Sequence, residues 1–468
     1  MKDSPTYDFS SSRGFLLSSL LWGTAGLVLG FYLAMEFLHP QLNFAPWITY
    51  GRLRAAHVNG LAIGFGAGTI IGLSYYMVQR LSKATLFAPR LARFNLYFFN
   101  VTALLAVVSL LAGMTSSKEY AELEWPLDIM VVAVWVMFAI SFFGTLYRRK
   151  EKQMYVALWY MIGTIVTVAV IYIVNNLEVP ISLFKSYSVF SGANDANVQW
   201  WYGHNMVAFL FTTPVIGFFY YFFPLSVKLP IYSHRISIIG FWSLVFAYLW
   251  TGAHHLIYTP LPDWIETVAI AFSIFLIAPS WATVINAFYT MNGNWEKMKS
   301  NYLTKFFVIG MFFYALQTIQ GPAQALRAWS RIVHYTDYII GHVHMGTMGW
   351  VTLTTCGSIY YVASKLGSKG IYSEKLANIH FWLVLVGQLI YTISMWIAGI
   401  VQGFRWKETG ADGSLVYAFN DLLKFNMPFW SARSAGGLLY LIGFMIFIYN
   451  VWMTLKISPE SDVKRADL

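Results

Sequence analysis

The chain reads as an all-α, polytopic membrane protein, and three features carry that reading. It is 57% hydrophobic and only 11% charged over 468 residues, against about 25% charged in an ordinary soluble domain. Its apolar residues gather into twelve runs, each near the roughly 20 helical residues that cross a hydrocarbon core about 30 Å thick. Polar breaks separate the runs, and neither a soluble domain nor a low-complexity tract interrupts them. A soluble enzyme, a disordered chain and a nucleic-acid-binding domain are excluded, and the partner implied is a lipid bilayer.

The runs fall at 14–36, 51–79, 91–113, 127–147, 154–174, 198–223, 234–258, 263–289, 302–324, 339–364, 378–402 and 431–455, one twelve-helix domain over 1–468. No small-residue cleavage site follows a short apolar core at the start, so the first run is read as a retained helix. An even number of spans puts both termini on one side. Of the 31 Lys and Arg residues, 21 fall on that side and 10 opposite, while acidic residues divide 8 against 13. The termini are therefore expected to be cytoplasmic, and the net +10 resolves into +13 inside and −3 outside. The single cysteine, Cys356, rules out a disulfide framework, thiolate metal sites and a C-x-x-C-H haem attachment within the chain.

Six of the ten histidines lie inside the predicted spans: His57, His204, His254, His255, His342 and His344. An ionisable group within the membrane is costly and marks function by default. One such His is ordinarily a hydrogen-bonded interhelical residue, but all six fall at one depth, roughly 5–10 Å below the outer ends of their helices at 1.5 Å per residue. His342 and His344 diverge by about 200° and face opposite sides of span ten, so each serves a different group. His254 and His255 diverge by about 100°, and slight local distortion lets both reach one ion that His204 completes. A three-imidazole site suits Cu, Zn or Fe. His57 remains as a second axial ligand, and bis-His iron carries electrons whereas five-coordinate iron leaves room for a small ligand.

On these residues the chain resembles the catalytic subunit of a haem-copper oxidase, most nearly of the cbb3-type cytochrome c oxidase branch. The motifs are His57-Val-Asn-Gly, His204-Asn205, Tyr248 with His254-His255, and His342-Val-His344, and the likeness covers all twelve spans. The resemblance implies that His57 and His344 ligate a low-spin haem b, that His342 ligates a high-spin haem b3, and that His204, His254 and His255 hold the copper CuB. Tyr248 fits the active-site tyrosine that this branch links covalently to the first copper ligand. Other oxidase branches carry a tyrosine four residues after that ligand, where Ala208 stands here. The bacterial nitric-oxide reductase shares the six histidines but adds an iron-binding glutamate at the same place, which Ala208 cannot replace. A redox-silent twelve-span transporter is the alternative from another class, and it predicts a colourless protein.

The resemblance further implies a proton-pumping terminal oxidase in a bacterial cytoplasmic membrane that reduces O2 to water. Electrons then come from cytochrome c through membrane-anchored monohaem and dihaem c-type subunits. Ser237, Tyr220, Asn286 and Tyr314 match that branch's proton-uptake path toward Tyr248. Arg54, Arg433, His334 and Asp337 are candidates for the haem-propionate side. Glu119 and Glu122 open an outer-loop cluster with Glu124 and Asp128, where acidic groups in that branch help to hold a Ca²⁺, an ion that takes oxygen ligands. Gly60, Gly64, Gly68 and Gly72 form a stripe suited to close helix packing or to a flat haem. His39, His234 and His380 are assigned no role, being placed at helix ends or in loops.

Overall fold

The computed structural model describes residues 6–116, 118–367, 370–456 and 463–465. Among the described residues, ten helices are long and apolar enough to cross a membrane. They are α1 (Ser10–Glu36), α2 (Tyr50–Ser82), α3 (Pro89–Ala112), α4 (Trp125–Tyr147), α5 (Val156–Asn175), α6 (Gly192–Val227), α8 (Asp263–Thr290), α9 (Tyr302–Ala325), α11 (Glu374–Arg405) and α12 (Phe419–Lys456). The other two expected spans are α7 (His234–Tyr248) and α10, which runs continuously over 337–366. α10 carries His342 and His344 of the expected site, and the segment just after α7 carries His254 and His255. Extended structure is slight: β1 (Thr6–Asp8) pairs with β4 (Val463–Arg465), and β2 (Glu178–Ser182) with β3 (Lys185–Ser188) in an antiparallel hairpin.

The run expected as one helix over 234–258 is not continuous. α7 ends at Tyr248, and a 3₁₀ turn over Gly252–Leu256 carries His254 and His255. The tighter turn, three residues per revolution, breaks the single helix expected to join Tyr248 to His255. It supplies the local distortion that two adjacent histidines need to converge.

Three other helices depart from α geometry in the opposite sense. π-helical stretches occupy Gly60–Ala67 in α2, Val207–Thr212 in α6 and Met345–Thr352 in α10. Each begins within three residues of a site histidine: His57, His204 and His344. π-turns are rare, cluster at functional sites and shift the helix register by their extra residue. Two of them end on a threonine that donates to the carbonyl five residues back, Thr212 to Val207 at 3.3 Å and Thr352 to Thr347 at 2.7 Å.

At the other end of the bundle one entry device occurs three times. The backbone N–H of Phe87, just before α3, donates to Thr145 Oγ1 on α4 at 2.8 Å. Tyr232 before α7 donates to Thr290 on α8, and Tyr372 before α11 donates to Thr454 on α12, each at 3.0 Å. Each threonine in turn donates to its own i−4 carbonyl, at Ser141, Asn286 and Asn450. In this way a backbone N–H near a helix start, otherwise unpaired, is satisfied by the neighbouring helix.

Glycine sets the closest approaches. Gly64, Gly68 and Gly72 face Trp22, Ser19 and Leu16 of α1, so the stripe on α2 serves helix packing. Gly387 of α11 and Gly436 of α12 meet backbone to backbone, where a Cβ on either would lie 2.5–2.6 Å from the other's carbonyl oxygen. Because backbone cannot yield as a side chain does, Gly387→Val is expected to cost about 1–3 kcal/mol. The thermal midpoint in detergent should fall accordingly, and an unchanged midpoint contradicts the crossing.

Candidate metal and cofactor centre

A cavity of about 780 Å³ runs through the half of the bundle remote from the paired β1 and β4, and all six histidines line it together with Tyr248 and Tyr314. Ligand nitrogens of His204, His254 and His255 lie within 4.8 Å of one another. His204 Nδ1 is 3.1 Å from His255 Nε2, while His204 Nε2 is buried with no hydrogen-bond partner. The His255 ring stacks on Trp200 at 3.9 Å, one turn before His204 on α6. Three imidazoles with ligand nitrogens this close, one of them with an orphaned buried nitrogen, fit a nitrogen-loving metal.

Hydrogen bonds at Nδ1 fix the tautomers of the other rings. His57 Nδ1 lies 2.7 Å from the Gly26 carbonyl and His344 Nδ1 2.8 Å from the Ile340 carbonyl. A carbonyl only accepts, so both rings donate there and leave the Nε2 lone pair free. His342 Nδ1 donates to Gln320 Oε1 at 2.8 Å, and its Nε2 accepts from the Gln317 amide at 3.0 Å. His254 Nδ1 is 2.6 Å from Ser273 Oγ. The Ser273 hydroxyl already donates to the Ala269 carbonyl at 2.6 Å, so His254 donates to it and keeps Nε2 free. Outer partners of this kind orient metal-binding histidines.

His342 and His344 do leave α10 on opposite sides, His342 toward α9 and His344 toward Tyr391 of α11, whose ring is 4.7 Å away. Space in front of His57 is made on α1, where a Cβ on Gly30 would lie 2.5 Å from His57 Cε1. Gly437 lines the cavity and has nothing within 4 Å of a built Cβ. Histidines with free Nε2 atoms, glycine-cleared space and a mostly apolar lining fit large flat cofactors.

Tyr248 lies beside His204, with ring centroids 5.8 Å apart. Ser237, Tyr220 and Asn286 meet: the Asn286 amide donates to Ser237 Oγ at 2.9 Å and to the Tyr220 hydroxyl at 3.4 Å. Tyr314 stands apart, packed on Trp350 at 4.7 Å with its hydroxyl unpartnered. The sequence reading missed Ser280 and Thr283, which share a face of α8 with Asn286 and have buried, unpartnered hydroxyls, as does Tyr160. Their three-residue spacing was the available signal. Unpaired buried hydroxyls between two polar ends fit ordered water.

At the outer rim Arg54 forms an ion pair with Glu119. Asp337 accepts hydrogen bonds from Trp430 at 2.9 Å and Asn426 at 3.2 Å, and the buried Arg433 lies over the Phe37 ring. His334 stacks on Tyr335, and burial lowers its basicity. Tyr120 and Tyr335 take positive φ angles of 65° and 64° beside these groups, backbone strain of a kind that gathers at sites.

The expected acidic cluster is divided in two. Glu119 faces Arg54, and Glu122 accepts from Asn59 at 3.0 Å, with burial raising its carboxyl above the usual range. Glu124 instead shares Ser186 with Glu178, and Asp128 accepts from Tyr172 and Asn176. The two pairs point apart because Glu124 and Asp128 begin α4 while Glu119 and Glu122 precede it. His380 is likewise not at a helix end; it is buried in the second turn of α11 against Tyr360 and Phe447.

Residues 11–439 match the family described as cytochrome c and quinol oxidase polypeptide I. The chain is 43% identical to the cbb3-type cytochrome c oxidase subunit CcoN1 of Stutzerimonas stutzeri, over 99% of this chain and 98% of that one. It is 40% identical to cytochrome c oxidase subunit 1 of Rhodobacter capsulatus, over 96% and 86%. A heme-copper terminal oxidase dimer solved by cryo-EM shares the fold, with a TM-score of 0.79 at 18% identity over 98% of this chain and 87% of that one.

Ser273→Ala removes the acceptor that sets the His254 tautomer with little change of volume. Metal affinity at the three-histidine cluster should fall about 10–100-fold, read as metal per protein by mass spectrometry after titration with a chelator. Retention equal to the parent rules the tautomer argument out.

Proposed function

The chain belongs to the cytochrome c and quinol oxidase polypeptide I family, as a cbb3-type cytochrome c oxidase subunit, and on that premise we propose how its residues divide the work. His57 and His344 hold a low-spin haem b, His342 holds a high-spin haem b3, and His204, His254 and His255 hold CuB. The observation that carries this is the free Nε2 on three rings whose Nδ1 is committed elsewhere, His57, His344 and His254, beside the orphaned Nε2 of His204 and a His342 Nε2 met by the Gln317 amide. When bound, the haems and copper supply the electron transfer and the reduction of O2 to water.

The chain's own part is position and protons. α10 separates the two haem sites by only the residue between His342 and His344. Tyr248 holds a proton at its phenol beside His204, with the register that this branch's His–Tyr cross-link requires. Protons reach it from the cytoplasmic side through Ser237, Asn286 and Tyr220, then along Thr283 and Ser280 toward Tyr314. This direction supports proton pumping, with both termini in the cytoplasm of a bacterial inner membrane. Arg54, Arg433, His334 and Asp337 balance the propionates. Glu122, with Glu119 behind its Arg54 pair, offers too few oxygens for a Ca²⁺, which takes six to eight, so these residues do not by themselves fit that ion. With no C-x-x-C-H in the chain, electrons arrive from c-type haem subunits that accept them from cytochrome c.

A visible spectrum with metal analysis tests the assignment: two b haems and one copper per chain are expected. Iron in place of copper would instead favour the nitric-oxide reductase, against which Ala208 stands, and a colourless protein would sink both. Tyr248→Phe should lower oxygen turnover by about 10²–10⁴-fold, the usual worth of a positioned proton donor, with both haems retained. Ser237→Ala and Tyr314→Phe should also slow turnover, and full activity in either variant removes that residue from the proton route.

A further inference from the structure

We infer that Gln388 is a positioning residue for the axial ligand His344, an inference that rests on the proposed low-spin haem site. The Gln388 amide reaches across from α11 and donates to the backbone carbonyl of His344 at 3.1 Å. That carbonyl stands where α10 passes from α-helix, ending at His344, to the π stretch beginning at Met345. The backbone of the ligand is thus anchored from a second helix at the point where its own hydrogen-bond pattern changes.

Three observations set Gln388 apart from an ordinary interhelical contact. It is 1% exposed, and its Oε1 has no partner. A buried amide half unpaired is costly, a penalty that a Leu or Met of similar size avoids, so packing alone does not account for it. One turn along α11, Tyr391 packs its ring against the His344 imidazole, so α11 holds this residue at both side chain and backbone. Finally, Gly387 next door makes the backbone-to-backbone crossing with Gly436 of α12, which fixes how far the Gln388 side chain extends toward α10. His342 is held by side chains of α9, at Gln320 and Gln317. The two ligands of one helix therefore take their anchors from opposite neighbours, and Gln388 acts on His344 alone.

The amide N–H also places the positive end of a dipole beside the ligand. Removing it favours the oxidised, more positive iron and lowers that haem's midpoint potential.

Gln388→Met keeps the volume and deletes the donor; Gln388→Asn keeps an amide too short to reach. Redox titration of the assembled complex, followed at the low-spin α-band, is expected to show a lower low-spin midpoint in both variants, with haem and copper content and the high-spin midpoint unchanged. If Gln388→Met fails to bind haem, Gln388→Asn decides alone. Unchanged low-spin midpoints overturn the inference, as does an equal shift of both haems, which would mean general loosening. A parent complex with no low-spin b haem overturns the underlying site reading instead.

Discussion

The structure depends on the price of an imidazole away from water. Each of six histidines has two ring nitrogens, and a buried nitrogen without a partner is expensive. In four of the rings the Nδ1 hydrogen is given to a protein acceptor: Gly26, Ile340, Gln320 or Ser273. What remains is a lone pair at Nε2, met in His342 by the Gln317 amide and left free in the other three. The same bonds that make the rings tolerable in the bundle make them ligands, so stability of the apolar core and readiness for metal are one arrangement.

The helices bend their rules around that arrangement. Where one ligand must leave a helix that continues inward, the backbone widens, after His57, His204 and His344. Where two adjacent ligands must converge, it tightens into the 3₁₀ turn that carries His254 and His255. Below the metal layer, regular helices return and the aromatic core packs densely. Irregular backbone is thus confined to the zone that lines the cavity, which is where a membrane protein can pair its freed polar groups.

Much of this was legible in the sequence, because hydropathy and histidine depth are both one-dimensional properties. Twelve spans, a common layer of histidines and the divergence of His342 from His344 follow from counting residues. Ser237, Asn286 and Tyr220, grouped in the sequence only through the family resemblance, do meet. What counting missed depends on backbone that is not ideal or on partners distant in sequence. The break after Tyr248 interrupts a run that hydropathy alone reads as one helix over 234–258. Gly30, which makes room for His57, and Ser273, which sets His254, lie 27 and 19 residues from the side chains they serve. The acidic loop was read as one cluster because its residues are close in sequence, although the start of α4 turns Glu124 and Asp128 toward Ser186 and Tyr172.

The three threonine clamps bear on how the chain assembles. Each ties the start of one helix to the next helix in sequence: α3 to α4, α7 to α8, α11 to α12. No clamp waits for a distant segment, so each helical hairpin can latch as soon as its second member has inserted. Low sequence separation favours rapid, independent formation, and three such latched hairpins would present their metal-binding neighbours α2, α6 and α10 with a scaffold already set. Cofactor capture would then act on a preassembled frame and need not drive the folding of the bundle itself.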